Sequence, residues 1–496
     1  MPKKNKNIGI LLCDSYTIQN ICGYLCTEEI CKLSVLCKIL LYIKNYVTCV
    51  KTNINISPKQ IKCFPNLQIL YLEHIDNPEH EHRKTKRLLK CVPNIKELYC
   101  GGGRLYCNIG ISRLHNLVKL QCVGITGLTD AIFEHLPNLE WLSCGRNKFV
   151  MDDIKPLNNL KYLSCDFCEG IYNESLINIP NLKTLVYGLS NIEDEGLKYV
   201  PQLEELYCFN YDPEKYGKLE GDTLEMYHYS ITDDGLSYVP KLKVLHCGDS
   251  HGITLNSLKY LRELREISCG GMFLSGQDTD IITNDMPTYL SNVEVLWCSV
   301  NSVSDDDLQY LTNLKTLYCG FNECITDISI QKFKHLKKLD CGYHDNITDA
   351  SILKIDDLCE LTCGNNTVLT NAVLQKHTNI TCLNCGNNYN INFDGILCLK
   401  KLDTLVLGCH GCLYDNSIKF LQRSVKIYIL INTIVAENEN DKLYKMYETE
   451  TTIEDVSKCM KRINKLKKWG FTVSISKYSI TPTHMDIWNG HFYMTM

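Results

Sequence analysis

The sequence predicts an α/β solenoid, a curved parallel sheet backed by short outer helices, and three observations carry that prediction. A unit of roughly 22 residues, reading L-x-x-L-x-C, recurs about sixteen times along the 496 residues. From Cys298 to Cys385 the successive steps are 21, 22, 22 and 22 residues. Twelve of the 29 cysteines fall at the sixth place of that unit.

Taken in order, the copies with cysteine last are 95–100, 117–122, 139–144, 160–165, 203–208, 242–247, 264–269, 293–298, 314–319, 336–341, 358–363 and 380–385. Segments 67–72, 182–187, 402–407 and 425–430 complete the set with another last residue. Side chains alternate faces along a strand, so places four and six point the same way and stack into buried ladders. Cysteine at place six is then a small core residue, and these cysteines are expected to be packing thiols. Longer steps at 72→100, 208→247 and 269→298 mark insertions near 73–90, 210–230 and 271–290. The first of these is charged, holds His74, His80 and His82, and is expected to be a solvated loop.

After the strand come Gly and often Asn (Asn147, Asn322, Asn366, Asn388), an amide placed to bond loop backbone of the neighbouring coil. Ile-Thr-Asp phrases follow at 231–233, 325–327 and 347–349, where Thr or Asp is expected to cap a short outer helix. Pro93, Pro137, Pro180, Pro201 and Pro240 precede the next strand and end those helices. The whole unit resembles the leucine-rich repeat.

Residues 8–46 lie outside the repeat and are apolar and helical in character. Ile18, Ile21 and Leu25 share one helical face, as do Leu33, Leu36 and Cys37. Thr27 before Glu28-Glu29 reads as a helix start. Tyr24-Leu25, Ile30, Leu33-Ser34 and Cys37-Lys38 match the run of an F-box, although the Leu-Pro opening and a Trp after Cys37-Lys38 are missing. The chain is similar to F-box/leucine-rich-repeat proteins, including those of giant amoebal viruses. The resemblance implies a substrate receptor. Ile18, Ile21, Leu25, Ile30, Leu33, Leu36 and Cys37 would dock on the adaptor subunit of an SCF-type cullin–RING ubiquitin ligase, and the repeats would hold an unknown protein target. The other reading is a stand-alone repeat scaffold whose N-terminal helices only cap the first coil.

Places three and five of each strand are expected to line the concave face. They carry two aromatic clusters: Tyr99, Trp141 and Tyr162, then Tyr207, His246, Trp297 and Tyr318. Exposed aromatics are typical interface anchors, so these seven are the candidate partner-binding residues.

Zinc-like spacings occur at Cys165/Cys168, at Cys382/Cys385 and at Cys409, His410 and Cys412. Cys165 and Cys385 belong to the core ladder, and a tetrahedral site needs four converging ligands, so no metal is expected. Gly101-Gly102-Gly103 lacks a phosphate-loop frame. No catalytic pairing stands out and no cofactor is expected, so the chain reads as a binding protein and not an enzyme.

A net charge of −5 argues against general nucleic-acid binding. No export signal and no apolar run of about 18 residues is visible, so the expectation is a chain of a reducing cytoplasm, the host's if viral, that is not membrane-bound. Past residue 431 the repeat ends. A helix is expected over 453–469 with Val456, Met460, Ile463 and Leu466 buried, Gly470 as its stop, and a strand from Phe471. The expected domains are an F-box-like 1–50, a solenoid of 51–430, and a C-terminal α/β cap of 431–496.

Overall fold

Coil after coil, a strand of three to five residues leads to a helical turn and returns through a tight turn. The computed structural model describes residues 47–52, 58–72, 81–101, 108–124, 128–147, 157–166, 168, 170–188, 191–209, 231–247, 253, 255–268, 290–298, 303–408, 411–430 and 453–476. The expected F-box-like segment lies outside them, as do most of the long insertions. The chain forms two units, Met1–Leu242 and Lys243–Met496. Both have the architecture of a leucine-rich-repeat solenoid.

The first unit holds β1 (Cys49–Thr52), β2 (Ile69–Leu72), β3 (Glu97–Gly101), β4 (Lys119–Val123), β5 (Trp141–Ser143), β6 (Tyr162–Ser164), β7 (Thr184–Gly188) and β8 (Glu205–Phe209). Each pairs in parallel with the next, and Leu70, Leu98, Leu120, Leu142, Leu163, Leu185 and Leu206 stand in one register row. The second unit holds β9 (Val244–His246), β10 (Glu266–Ser268), β11 (Val295–Trp297), β12 (Thr316–Tyr318), β13 (Lys338–Asp340), β14 (Glu360–Thr362), β15 (Cys382–Gly386), β16 (Thr404–Gly408), β17 (Lys426–Leu430) and β18 (Thr472–Ser476). These too are parallel, each beside its sequence neighbour.

The place-four row is buried throughout, and each such leucine contributes roughly 1.5–3 kcal/mol of burial. Of the twelve ladder cysteines, eleven are described, and all eleven are buried free thiols; Cys269 lies outside the described residues. The thiol also answers a polar need. Cys319 donates its N–H to the Asp340 carbonyl at 2.9 Å and its Sγ–H to the same oxygen at 3.1 Å. Cys247 does the same with the Ser268 carbonyl at 3.1 and 3.3 Å. Burial pushes the Cys208 thiol up to about 12, and Cys319 and Cys341 also stay protonated.

A second ladder, of asparagine, closes the turn after each strand. Asn366 is fully buried and donates Nδ2–H to the carbonyls of His344 (2.8 Å) and Ile347 (3.1 Å). Its Oδ1 accepts from the N–H groups of Val368 (3.0 Å) and Leu369 (2.9 Å). Asn147, Asn322 and Asn388 bond in the same manner, as their spacing suggested. The residues before Asn147, Asn322 and Asn366 (Arg146, Phe321 and Asn365) have positive φ of 58°, 68° and 60°, which turns the following amide inward. Tyr343, at 68°, does the same for His344, which takes the asparagine's place in its coil.

A third ladder runs along the helix starts. Thr232, Thr326, Thr348 and Thr370 cap their helices through Oγ1, and each is in turn bonded to the Asp at the first helical position of the coil before. Asp327 accepts from the N–H (2.8 Å) and Oγ1–H (2.6 Å) of Thr348, and Asp349 accepts likewise from Thr370. Asp194 reaches Thr232 in the same way across the insertion of 210–230, so that insertion leaves the stacking register intact. A Cβ on Gly235 would collide with this Asp194 carboxylate, so that helix carries glycine there.

The prolines sit one step later than a helix stop. Ile95, Leu139, Leu182, Leu203 and Leu242 each donate N–H to the carbonyl three residues back, which places Pro93, Pro137, Pro180, Pro201 and Pro240 second in a β-turn.

Three expectations need correction. Residues Glu81–Leu89, expected to be solvated loop, form a helix that buries Thr85, Leu88 and Leu89. The last repeat strand is shifted by one residue from 425–430. Lys426 pairs with Thr404, so Ile427 and Ile429 point inward and Tyr428 is exposed; a one-residue slip exchanges faces. The C-terminal helix is present as Ile453–Lys468, but Cys459 takes the buried place expected for Met460, which is exposed. Gly470 ends it at φ 88°, and β18 then adds a coil to the same sheet. Arg462 ties the helix down through the carbonyls of Leu413 (2.8 Å) and Asp415 (2.6 Å).

Candidate functional site

On the sheet face opposite the core, places three and five stand in rows one strand spacing apart. In the first unit the large side chains in these rows touch. Tyr71 stacks on Tyr99 at 4.4 Å, Tyr99 meets Trp141 at 6.3 Å, and Trp141 stacks on Tyr162 at 4.8 Å. Four rings thus span five coils, from β2 to β6, and all four remain half-exposed. Register explains the run, because Lys119 and Gln121 of β4 lie between Tyr99 and Trp141 and the rings lean across them.

Charges tune the same rows. Tyr99 donates its hydroxyl to Glu97 at 2.8 Å, and Lys119 lies 3.7 Å from that carboxylate. Partial burial, then the Glu97 bond and charge, hold the Tyr99 hydroxyl protonated far above its ordinary range. Burial does the same for Tyr162, with the Asp166 carboxylate and Tyr207 adding to it. Asp166 is itself pushed up to about 6 by burial, against a bond from Ser164. Tyr207, on β8, is half-exposed.

The second unit treats its aromatics differently. Trp297 donates Nε1–H to Glu266 at 3.1 Å, and His246 Nε2 lies 2.9 Å from the same oxygen. Trp297 stacks on Tyr318 at 3.6 Å. The three are only 8%, 7% and 4% exposed (Trp297, Tyr318 and His246), so the exposed anchors expected here are buried side chains, two of them on the Glu266 carboxylate and Tyr318 stacked on Trp297. Beside Tyr318 on the next strand, Asp340 is pushed up to about 7 by burial, against a bond from the Gly342 N–H. The strand alternation puts Glu266 in the place-three row of this face but not in the expected cluster, whose Trp297 it joins to His246. Its signal was present, as a place-three carboxylate one coil before the tryptophan.

Cys409 and His410 lie outside the described residues, and no group of three or more metal-ligating side chains converges among the described ones. No described helix is long and apolar enough to cross a membrane. The seven residues expected to dock an adaptor, Ile18 to Cys37, lie outside the described residues.

No family model matches the chain, and no curated protein does. Among solved structures it is similar to an internalin, InlF, from Listeria monocytogenes, at 18% identity and a TM-score of 0.43, over 75% of this chain and 89% of that one. It is similar to the functional domain of InlJ from the same organism, which includes a cysteine ladder, at 16% identity and a TM-score of 0.36, over 79% and 70% of the two chains. It is also similar to the Rad7 and Elc1 complex of yeast, at 14% identity and a TM-score of 0.38, over 72% and 88%.

Proposed function

We propose that this chain is a non-enzymatic protein-recognition molecule that holds a protein partner against the open sheet face of its first unit. The half-exposed run Tyr71, Tyr99, Trp141 and Tyr162 is the observation that supports this reading. Aromatic rings already held by their neighbours lose little freedom on contact and supply large apolar area, the usual character of interface anchors. The paired substitution Tyr99→Ser with Trp141→Ser is expected to abolish capture of partners in affinity purification while unfolding temperature changes little. An unchanged set of captured proteins refutes it.

Within this reading, the F-box-like pattern of residues 8–46 supports service as substrate receptor of an SCF-type ubiquitin ligase, with those residues on the adaptor. Deleting residues 1–46 leaves β1 in place and should abolish adaptor recovery. Equal recovery with and without them would leave a stand-alone repeat scaffold.

A further inference from the structure

Charge is divided unevenly along this chain. Residues 456–485 hold seven lysines and arginines and no aspartate or glutamate, so they carry +7 and the rest of the chain −12, against the net −5. Most of the C-terminal helix and all of β18 fall in this segment. The helix sorts its residues by side. Cys459, Ile463 and Leu466, four and three residues apart, are fully buried. Lys461, Lys465 and Lys468 repeat that spacing two residues on, which at about 3.6 residues per turn is the opposite side. All three are exposed, with Lys467 and Met460 along one flank.

The helix is fixed with these lysines outward. Arg462 donates to the carbonyls of Leu413 (2.8 Å) and Asp415 (2.6 Å), which anchors it to the preceding coil. Lys461, Lys467 and Lys468 form no ion pair among the described residues, and Lys465 lies 4.9 Å over the Trp469 ring. Arg423 donates Nη2–H to the Lys419 carbonyl at 3.0 Å and lies 4.2 Å over Phe471, so Phe420 stands close to the residues that follow the helix. Phe420 and Met460 are 68% and 39% exposed, large apolar side chains set among cations. Cations with apolar tips between them suit headgroups lying over acyl chains. A nucleic-acid backbone would use the charges and leave the apolar tips idle.

We propose that the lysine face of the C-terminal helix, Lys461, Lys465, Lys467 and Lys468, docks on an anionic phospholipid surface, with Met460 and Phe420 as its apolar tips. The contact is peripheral: the helix keeps its apolar stripe on the solenoid and meets the headgroups with its charges. The acidic remainder of the chain is repelled by the same surface, which orients the molecule with this end toward it. This inference stands on the second unit alone and is independent of partner capture by the first.

Sedimentation of the full chain with vesicles tests it, using phosphatidylcholine alone and phosphatidylcholine with about one third phosphatidylserine. Binding to the anionic vesicles should be at least about tenfold tighter and should weaken as salt is raised. The triple variant Lys461→Gln, Lys465→Gln, Lys468→Gln should lose roughly a hundredfold, at about fivefold for each charge near the surface. The same three lysines changed to arginine should keep the binding, which separates charge from fold. Lys332→Gln, Lys334→Gln, Lys337→Gln removes three exposed charges from the coil of β13, beside Asp356 and Asp357 of the next coil, and should change binding less than about threefold. Four results overturn the proposal: equal affinity for the two vesicle types, including no binding to either; equal effects of the two glutamine triples; loss of binding in the arginine triple; or displacement of the chain from the anionic vesicles by a short RNA duplex at equal phosphate concentration.

Discussion

Asn366→Ala is the sharpest perturbation of this fold. The amide makes four bonds, at 2.8, 3.1, 3.0 and 2.9 Å, from a site with no solvent exposure. Alanine leaves two carbonyls and two N–H groups buried without partners. At roughly 1–1.5 kcal/mol for each, the loss is about 4–6 kcal/mol, reduced to about 3–5 where water or a small shift recovers one of them. Asn313 is the comparison, since it makes one 2.7 Å bond to the Ser291 carbonyl from an exposed rim. Its change to alanine should cost less than about 1 kcal/mol. Urea unfolding followed by far-UV circular dichroism measures both, and hydrogen exchange at the Val368 and Leu369 amides reports the local opening. If the two variants lose equal stability, or if those amides stay as protected as in the parent, the asparagine ladder does not hold the coils as argued.

Two further predictions concern protonation. His344 replaces the ladder asparagine, is 5% exposed, and neither ring nitrogen has a hydrogen-bond partner. Burial lowers its pKa below the ordinary value of 6.5, so its contribution to stability is intact above that pH and lost as pH falls below it. His344→Asn should therefore stabilise the chain by about 1–2 kcal/mol at neutral pH and flatten the decline in acid, read by urea unfolding from pH 5 to 8. Asp340 moves the opposite way. Its folded-state pKa rises from 3.8 to about 7, so its contribution is complete below pH 3.8 and lost as pH rises toward 7. Asp340→Asn should add on the order of 2–4 kcal/mol at pH 8 and nothing at pH 3.5; an equal gain at both would contradict the assigned cause.

Legibility in this chain divides by what sets each feature. The cysteine ladder was readable because a strand's two-residue alternation, multiplied by a constant coil length, makes burial periodic in sequence. The buried asparagines were readable for the same reason. The register of β17 was misplaced because its turn is followed by one residue fewer before the strand, and Val425 looks apolar enough to mark place one. The helix Glu81–Leu89 escaped notice because its run Glu81-His82-Arg83-Lys84 is charged and only its last turn is apolar. Exposure on the open face was the least legible, since it depends on neighbours rather than on period. Trp141, at place three of β5, stacks in a half-exposed run, while Trp297, at place five of β11, donates to a carboxylate and is buried. The difference follows the place of each ring and the residue it meets on the preceding coil. Glu266 stands at place three one coil before Trp297, within reach of the indole N–H, whereas the coil before Trp141 offers Lys119, which turns to Glu97. A tryptophan at place five whose preceding coil offers a place-three carboxylate is thus held by its indole N–H, while Trp141, beside a lysine, stacks on Tyr162 instead.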